Sequence, residues 1–229
     1  MTIKKLVFEQ KQITFSELKE AIDNNFQNNP KIYALIMKKV PKFGSGNKES
    51  VEIANRVAKY VHEYFGAKRN YRGGPYTTGF WSMSNHVAFG TLTGALPSGR
   101  LAGKAFTPGL TPSAAATKNL LDNLRDVASL TPENMNNNMA FNVKFVPSSE
   151  DSHTQTVNHI TAYAKTYFEL GGMQMQLNIV SGAILKDAMK HPENYRDLLV
   201  RISGYNAYFV TLNRDMQIEL IERSEYSRN

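Results

Sequence analysis

Apolar residues recur at helical spacing through the first third of the chain. Leu18, Ala21, Ile22 and Phe26 follow the tetrad Thr14-x-x-Glu17, a capping box, and predict a helix over 14–26. Pro30 suits the first turn of a second helix, with Ile32, Leu35, Ile36 and Val40 on one face. After a loop at 43–47, the stripe Val51, Ala54, Val57, Val61 and Tyr64 predicts a third helix over 49–65 and is expected to be core. The period then changes. A helix over 113–128 carries Ala114, Thr117, Leu120, Leu121, Leu124 and Val127 inward, and a polar turn occupies 134–138. Residues 139–146 and 173–180 alternate as strands do, and 152–170 between them reads as a helix stopped by Gly171-Gly172. Strand, helix and strand in that order predict a parallel βαβ unit with a right-handed crossover. In the second strand Met173, Met175, Leu177 and Ile179 share one face and Gln174, Gln176 and Asn178 the other. That polar face either lines a cavity or meets solvent or a covering loop. A short helix over 184–189, a turn at 192–194 and a final helix capped by Asn213 complete the pattern.

Residues 70–112 break the periodicity with Gly, Pro, Ser and Thr, yet keep Phe80, Trp81, Met83, Val87, Phe89, Leu92 and Leu96. This content predicts a strand and a long structured loop packed on the core, not a linker. The chain is expected to divide into a helical segment, 1–69, and a second region, 70–229. His86, a lone histidine beside the expected strand, reads as a hydrogen-bonded structural residue, and His62, His153, His159 and His191 share no ligand spacing. No phosphate loop, nucleophile elbow or internal repeat is present.

Composition changes the picture in two places. The 229 residues are 41% hydrophobic and 21% charged, as in ordinary globular proteins. Their net charge of +7 is dispersed: residues 201–229 hold four Arg against four Asp and Glu, and no basic run interleaves with aromatics. Nucleic-acid binding is therefore not expected. No apolar run approaches the roughly 20 residues that span a bilayer, and the N-terminus carries no leader pattern, so no membrane partner and a cytoplasmic location are expected. There is no cysteine, which excludes disulfides, thiolate metal sites and a cysteine nucleophile within the chain.

The most informative stretch is Arg201-Ile202-Ser203-Gly204-Tyr205-Asn206-Ala207-Tyr208-Phe209-Val210. By pattern it is two strand-like pieces, from Leu198 and from Tyr208, meeting at a Ser-Gly turn. Gly204 then reads as a hairpin-turn glycine, free to take positive φ and to let other chain pass close.

With Leu212-Asn213-Arg214-Asp215-Met216 after it, the same stretch resembles the C-terminal signature of the glycyl radical enzymes. So does the earlier run Arg72-Gly73-Gly74-x-Tyr76-x-x-Gly79, His86-Val87-x-Phe89-Gly90 and Gly94-Ala95-x-x-x-Gly99-Arg100. The resemblance implies an α/β fold, the C-terminal part of a ten-stranded α/β barrel, with a helical N-terminal segment. It implies a protein-based radical on Gly204, at the tip of a buried loop, and a motif of Arg201, Ser203, Tyr205 and Ala207 that holds it. It implies no bound metal in this chain. S-adenosylmethionine and an iron–sulfur cluster would belong to a separate radical activating enzyme, the principal partner. A second partner would be the rest of the lyase, bearing the cysteine that this chain lacks. A small subunit and a homo-oligomeric assembly are further partners that the resemblance allows.

Within the family, 80–86, 138–144 and 204–210 are most similar to the large subunit of decarboxylases acting on 4-hydroxyphenylacetate. Anaerobic, oxygen-sensitive decarboxylation of an arylacetate is the implied activity. Formate acetyltransferase-like, diol or choline lyase chemistry remains the alternative. So does a stand-alone module that restores the glycine end of an oxygen-damaged lyase without turnover of its own, or a scaffold that keeps the fold without radical chemistry.

Overall fold

The computed structural model describes residues 1–116, 119–148, 151–223 and 225–226. A π-helical turn at Ile3–Glu9 precedes helices α1 (Phe15–Asp23), α2 (Pro30–Lys39) and α3 (Lys48–Gly66). Strand β1 (Gly79–Phe80) and helices α4 (Asn85–Leu92) and α5 (Leu120–Ala128) follow. Next come β2 (Asn138–Met139), β3 (Asn142–Phe145), α6 (His153–Glu169), β4 (Gln176–Asn178) and α7 (Gly182–Lys190). The chain ends through β5 (Leu199–Arg201), β6 (Asn206–Tyr208), α8 (Arg214–Glu222) and β7 (Glu225–Tyr226). Contacts divide it into two compact units, Met1–Lys42 with Asn85–Phe106, and Phe43–Ser84 with Thr107–Asn229.

The first unit packs Leu6, Ile13, Leu18, Ala21, Phe26, Ile36, Val40 and Ala95 into one core. Its first helix begins where the capping box places it. Glu17 N–H donates to Thr14 Oγ1 at 3.1 Å, and Thr14 N–H donates to Glu17 Oε2 at 2.7 Å. The helix stops at Asp23, short of the predicted 26, because Asn25 and Phe26 turn the chain at φ of 55° and 62°. Phe26 reaches the core from that turn. The expectation of a strand and a long loop within 70–112 also needs correction: only 79–80 is strand, and Asn85–Leu92 is helix. Tertiary packing decides this. Gly90 lies so close to the 104–106 backbone that a Cβ there would sit 2.5 Å from Ala105 Cα, and Phe106 N–H donates to the His86 carbonyl at 3.0 Å. The side chain of His86 is buried within this helix.

In the second unit α3 is anchored through Asn55, whose Nδ2 donates to the Ser129 carbonyl at 3.0 Å while its Oδ1 accepts from Thr131 N–H at 2.8 Å. The helix therefore turns Ser50, Val51 and Ala58 inward. Val57 and Tyr64, expected in the core, are 56% and 51% exposed, because the amide of Asn55 and not the apolar stripe sets the inner face.

The predicted βαβ unit is present. Strand β3 pairs in parallel with β4, in the register Asn142↔Gln176, Val143↔Leu177 and Lys144↔Asn178, and β7 runs parallel along its other edge. All four residues of β3 are buried, as befits a central parallel strand. Phe141, Val143 and Phe145 pack on Leu124, Val127 and Tyr167. Helix α6 opens on a second capping box, Ser152 with Gln155. It closes at Gly171, with φ of 96°, and Gly172. A Cβ on Gly172 would come within 2.3–2.5 Å of the Tyr167 ring. Helix α5 starts at Leu120 and not at 113, because Asn119 caps it by accepting from Leu121 N–H at 3.0 Å; 114–116 is a turn, and Thr117 lies outside the described residues. Buried Lys144 donates to the Leu220 and Ile221 carbonyls at 3.1 and 3.0 Å, a cation at the C-terminal end of α8.

Candidate functional site

Strands β5 and β6 form an antiparallel hairpin in the register Leu199↔Tyr208, Val200↔Ala207 and Arg201↔Asn206. Ile202 N–H donates to the Tyr205 carbonyl at 2.9 Å, so Ser203 and Gly204 are the two central residues of the turn. Gly204 has φ of 85°, the value a type II turn requires at its second central position. A side chain here would be strained by the backbone alone. It would also collide: a Cβ on Gly204 would lie 2.7 Å from Trp81 Nε1 and 3.3 Å from Trp81 Cε2. The indole occupies the space that any other residue would need.

Three side chains outside the hairpin hold it. Trp81 Nε1–H donates to the Ser203 carbonyl at 2.9 Å. Gln176 Oε1 accepts from Gly204 N–H at 2.9 Å and from Arg201 Nε at 2.8 Å. Asn178 imitates a strand partner: its Oδ1 accepts from Arg201 N–H at 2.8 Å and its Nδ2 donates to the Arg201 carbonyl at 2.6 Å. The polar face of the 173–180 segment thus meets a covering loop, one of the outcomes its alternation allowed, and that loop is the glycine hairpin. Gln174 turns instead to β3, accepting from Phe141 N–H at 3.1 Å.

The expected motif residues fall at distinct places. The guanidinium of Arg201 reaches Gln176 and, through Nη1, Asn206 Oδ1 at 3.2 Å. Ser203 is 0% exposed, and its Oγ has no hydrogen-bond partner among the described residues. Tyr205 closes the turn through its carbonyl, and Ala207 sits in β6 opposite Val200. Helix α8 adds a further tie. Arg223 forms a buried bidentate pair with Glu219, both bonds at 2.8 Å, and its Nη1 donates to the Arg201 carbonyl at 3.3 Å. Gly204 itself is exposed in this chain.

Trp81, Gln176, Asn178 and Arg223 escaped sequence reasoning as site residues. The alternating polar face of 174–178 and the single tryptophan were their only local signals. Among the described residues no group of three or more His, Asp or Glu is placed to hold a metal, and no helix is long and apolar enough to cross a membrane.

A protein-family model described as glycine radical matches residues 106–210, the segment that contains the hairpin, and one described as pyruvate formate lyase-like matches residues 1–90. The chain belongs to the glycyl radical enzyme family. It is 33% identical to an indoleacetate decarboxylase of Tractidigestivibacter scatoligenes, over 98% of this chain and 28% of that protein. It is 29% identical to the glycyl radical subunit of a 4-hydroxyphenylacetate decarboxylase of Clostridium scatologenes, over 99% of this chain and 28% of that one. The solved B12-independent glycerol dehydratase of Clostridium butyricum superposes with a TM-score of 0.91 at 35% identity, covering 99% of this chain and 29% of the dehydratase. The fold is thus that of the matching part of a glycyl radical enzyme barrel, and the chain spans a little over a quarter of these relatives. The cofactor of the family is a radical on the protein itself. The site suits one: at Gly204 the positive φ and the Trp81 indole, 2.7 Å from where a Cβ would sit, both favour a residue without a side chain.

Proposed function

We propose that this chain is the glycine-bearing portion of a glycyl radical lyase and that Gly204 is the radical site. One observation carries the reading. Gly204 lies in the segment matched by the glycine radical model, at a turn whose φ of 85° and neighbouring indole both require glycine. A glycine α-carbon stores an unpaired electron well because it can flatten between the donating amide nitrogen and the accepting carbonyl, with no side chain to resist. In activation the α-carbon gives up one hydrogen atom, with its electron, to a radical generated from S-adenosylmethionine by a separate activating enzyme. In turnover Gly204 takes a hydrogen atom from a cysteine thiol, so that a C–H bond forms and an S–H bond breaks. That cysteine lies on another part of the lyase, since this chain has none. Arg201, Ser203, Tyr205 and Ala207 shape and present the turn.

Decarboxylation of an arylacetate is the substrate reading we favour, supported by the stretches 80–86, 138–144 and 204–210 and by the names of the two decarboxylases. Dehydration of a small polyol is the second, favoured by the 35% identity to the glycerol dehydratase. Anaerobic incubation of the assembled lyase with activating enzyme and S-adenosylmethionine tests the site. The expected result is a doublet in electron paramagnetic resonance, from coupling to the one remaining α-hydrogen. Exposure to oxygen should then cut the chain at Gly204 and release a fragment starting near Tyr205. A full doublet retained by Gly204→Ala, or a cut elsewhere, would refute the assignment.

A further inference from the structure

The peptide unit joining Ser203 to Gly204 is held at both polar ends. Its carbonyl oxygen accepts from Trp81 Nε1–H at 2.9 Å, and its N–H donates to Gln176 Oε1 at 2.9 Å. The orientation of the Gln176 amide follows from chemistry. Both of its neighbours there, Gly204 N–H and Arg201 Nε–H, are donors without acceptor capacity, so the atom between them is the oxygen. Gln176 is buried on β4, which is paired in register with the central strand β3. Trp81 lies just after β1, whose partner is β2. The two ends of one peptide plane are thus tied to two different sheets.

We propose that Trp81 and Gln176 are positioning residues that fix the plane of the Ser203–Gly204 amide and thereby tune a radical at Gly204. The inference rests on the radical reading of Gly204 given above. A peptide group is planar, so rotation of this one relative to the α-carbon occurs about the N–Cα bond. That rotation sets the overlap between the nitrogen lone pair and the half-filled orbital of the α-carbon. At the φ of 85° of the unactivated turn these orbitals are nearly orthogonal, so a radical gains overlap only as this plane turns; ties at its oxygen and its nitrogen set how far it turns, and a plane tied at one end rocks. Arg201 acts behind Gln176, keeping its oxygen turned toward Gly204. The hairpin ladder and the Ile202–Tyr205 bond use other atoms, so a radical with altered electronic structure separates tuning from mere hairpin integrity.

The test compares the wild-type chain with Trp81→Phe, which keeps a ring but removes the donor; Gln176→Leu, which removes the acceptor; and Gln176→Glu, which keeps it. Each is assembled with the rest of the lyase and activated anaerobically with activating enzyme and S-adenosylmethionine, and its folding is checked by circular dichroism. Trp81→Phe and Gln176→Leu should give a doublet whose splitting is smeared, with a several-fold shorter anaerobic lifetime, or no accumulated radical in a folded protein. Gln176→Glu should restore the wild-type line shape. A folded Trp81→Phe protein with the wild-type doublet and lifetime overturns the inference, and decides it alone if Gln176→Leu does not fold. A wild-type chain without a doublet would instead sink the radical reading, and this inference with it.

Discussion

Replacing Gly204 by alanine probes the turn before any radical is formed. The backbone at φ of 85° costs an L-residue about 1–2 kcal/mol relative to glycine. The new Cβ would lie 2.7 Å from Trp81 Nε1, inside any tolerable contact. The indole is 45% exposed and has room to swing outward, but doing so gives up its bond to the Ser203 carbonyl. A hydrogen bond of that kind contributes about 1 kcal/mol. The two effects together predict a loss of about 2–3 kcal/mol in unactivated protein. The assay is urea unfolding of the full chain by circular dichroism, run as a double-mutant cycle with Trp81→Ala. In the Trp81→Ala background the same glycine substitution should cost only the backbone share, about 1–2 kcal/mol, because the colliding ring is gone. A loss under about 0.5 kcal/mol for Gly204→Ala alone would refute the positive-φ turn, since glycine freedom would then be worth little there. Equal losses in both backgrounds would refute the contact with Trp81.

Two further outcomes test the frame behind the hairpin. Arg223→Met leaves the Glu219 carboxylate buried without its cation and should cost about 3–5 kcal/mol by the shift in urea midpoint, while Arg223→Met with Glu219→Leu recovers most of the loss; a single-mutant loss under about 1 kcal/mol would contradict a desolvated pair. Burial raises the Tyr167 hydroxyl to about 12, against 10.0 for the free group, with backbone hydrogen bonding at Gln174 and Met173 offsetting only part of the shift. Because the unfolded chain then releases that proton before the folded one, the contribution is complete below pH 10 and declines as pH rises toward 12. Tyr167→Phe should flatten this alkaline fall in unfolding free energy, and an unchanged profile would count against it.

Local chemistry made much of the chain legible. Capping boxes at Thr14 and Ser152, Pro30 at a helix start and the glycines after α6 act within one turn of backbone, so their signals survive in the bare sequence. The βαβ unit was legible for a similar reason: two alternating segments flanking a long helix leave parallel pairing as the short connection. The family signature at 201–210 was legible as a resemblance, although its local pattern alone indicated only a hairpin. What long-range packing decides was not legible. Asn85–Leu92 is helical because Gly90 meets the 104–106 backbone, and the inner face of α3 is set by an amide that bonds residues 74 and 76 positions away. The same holds at the site. Trp81 stands 122 residues from Ser203, and Gln176 stands 28 from Gly204. No local period relates such positions. Sequence alone identified the glycine and the turn that needs it, because both are properties of neighbouring residues. Only the tertiary structure could bring an indole and a carboxamide to the two ends of one peptide, because that requires two sheets to be built first.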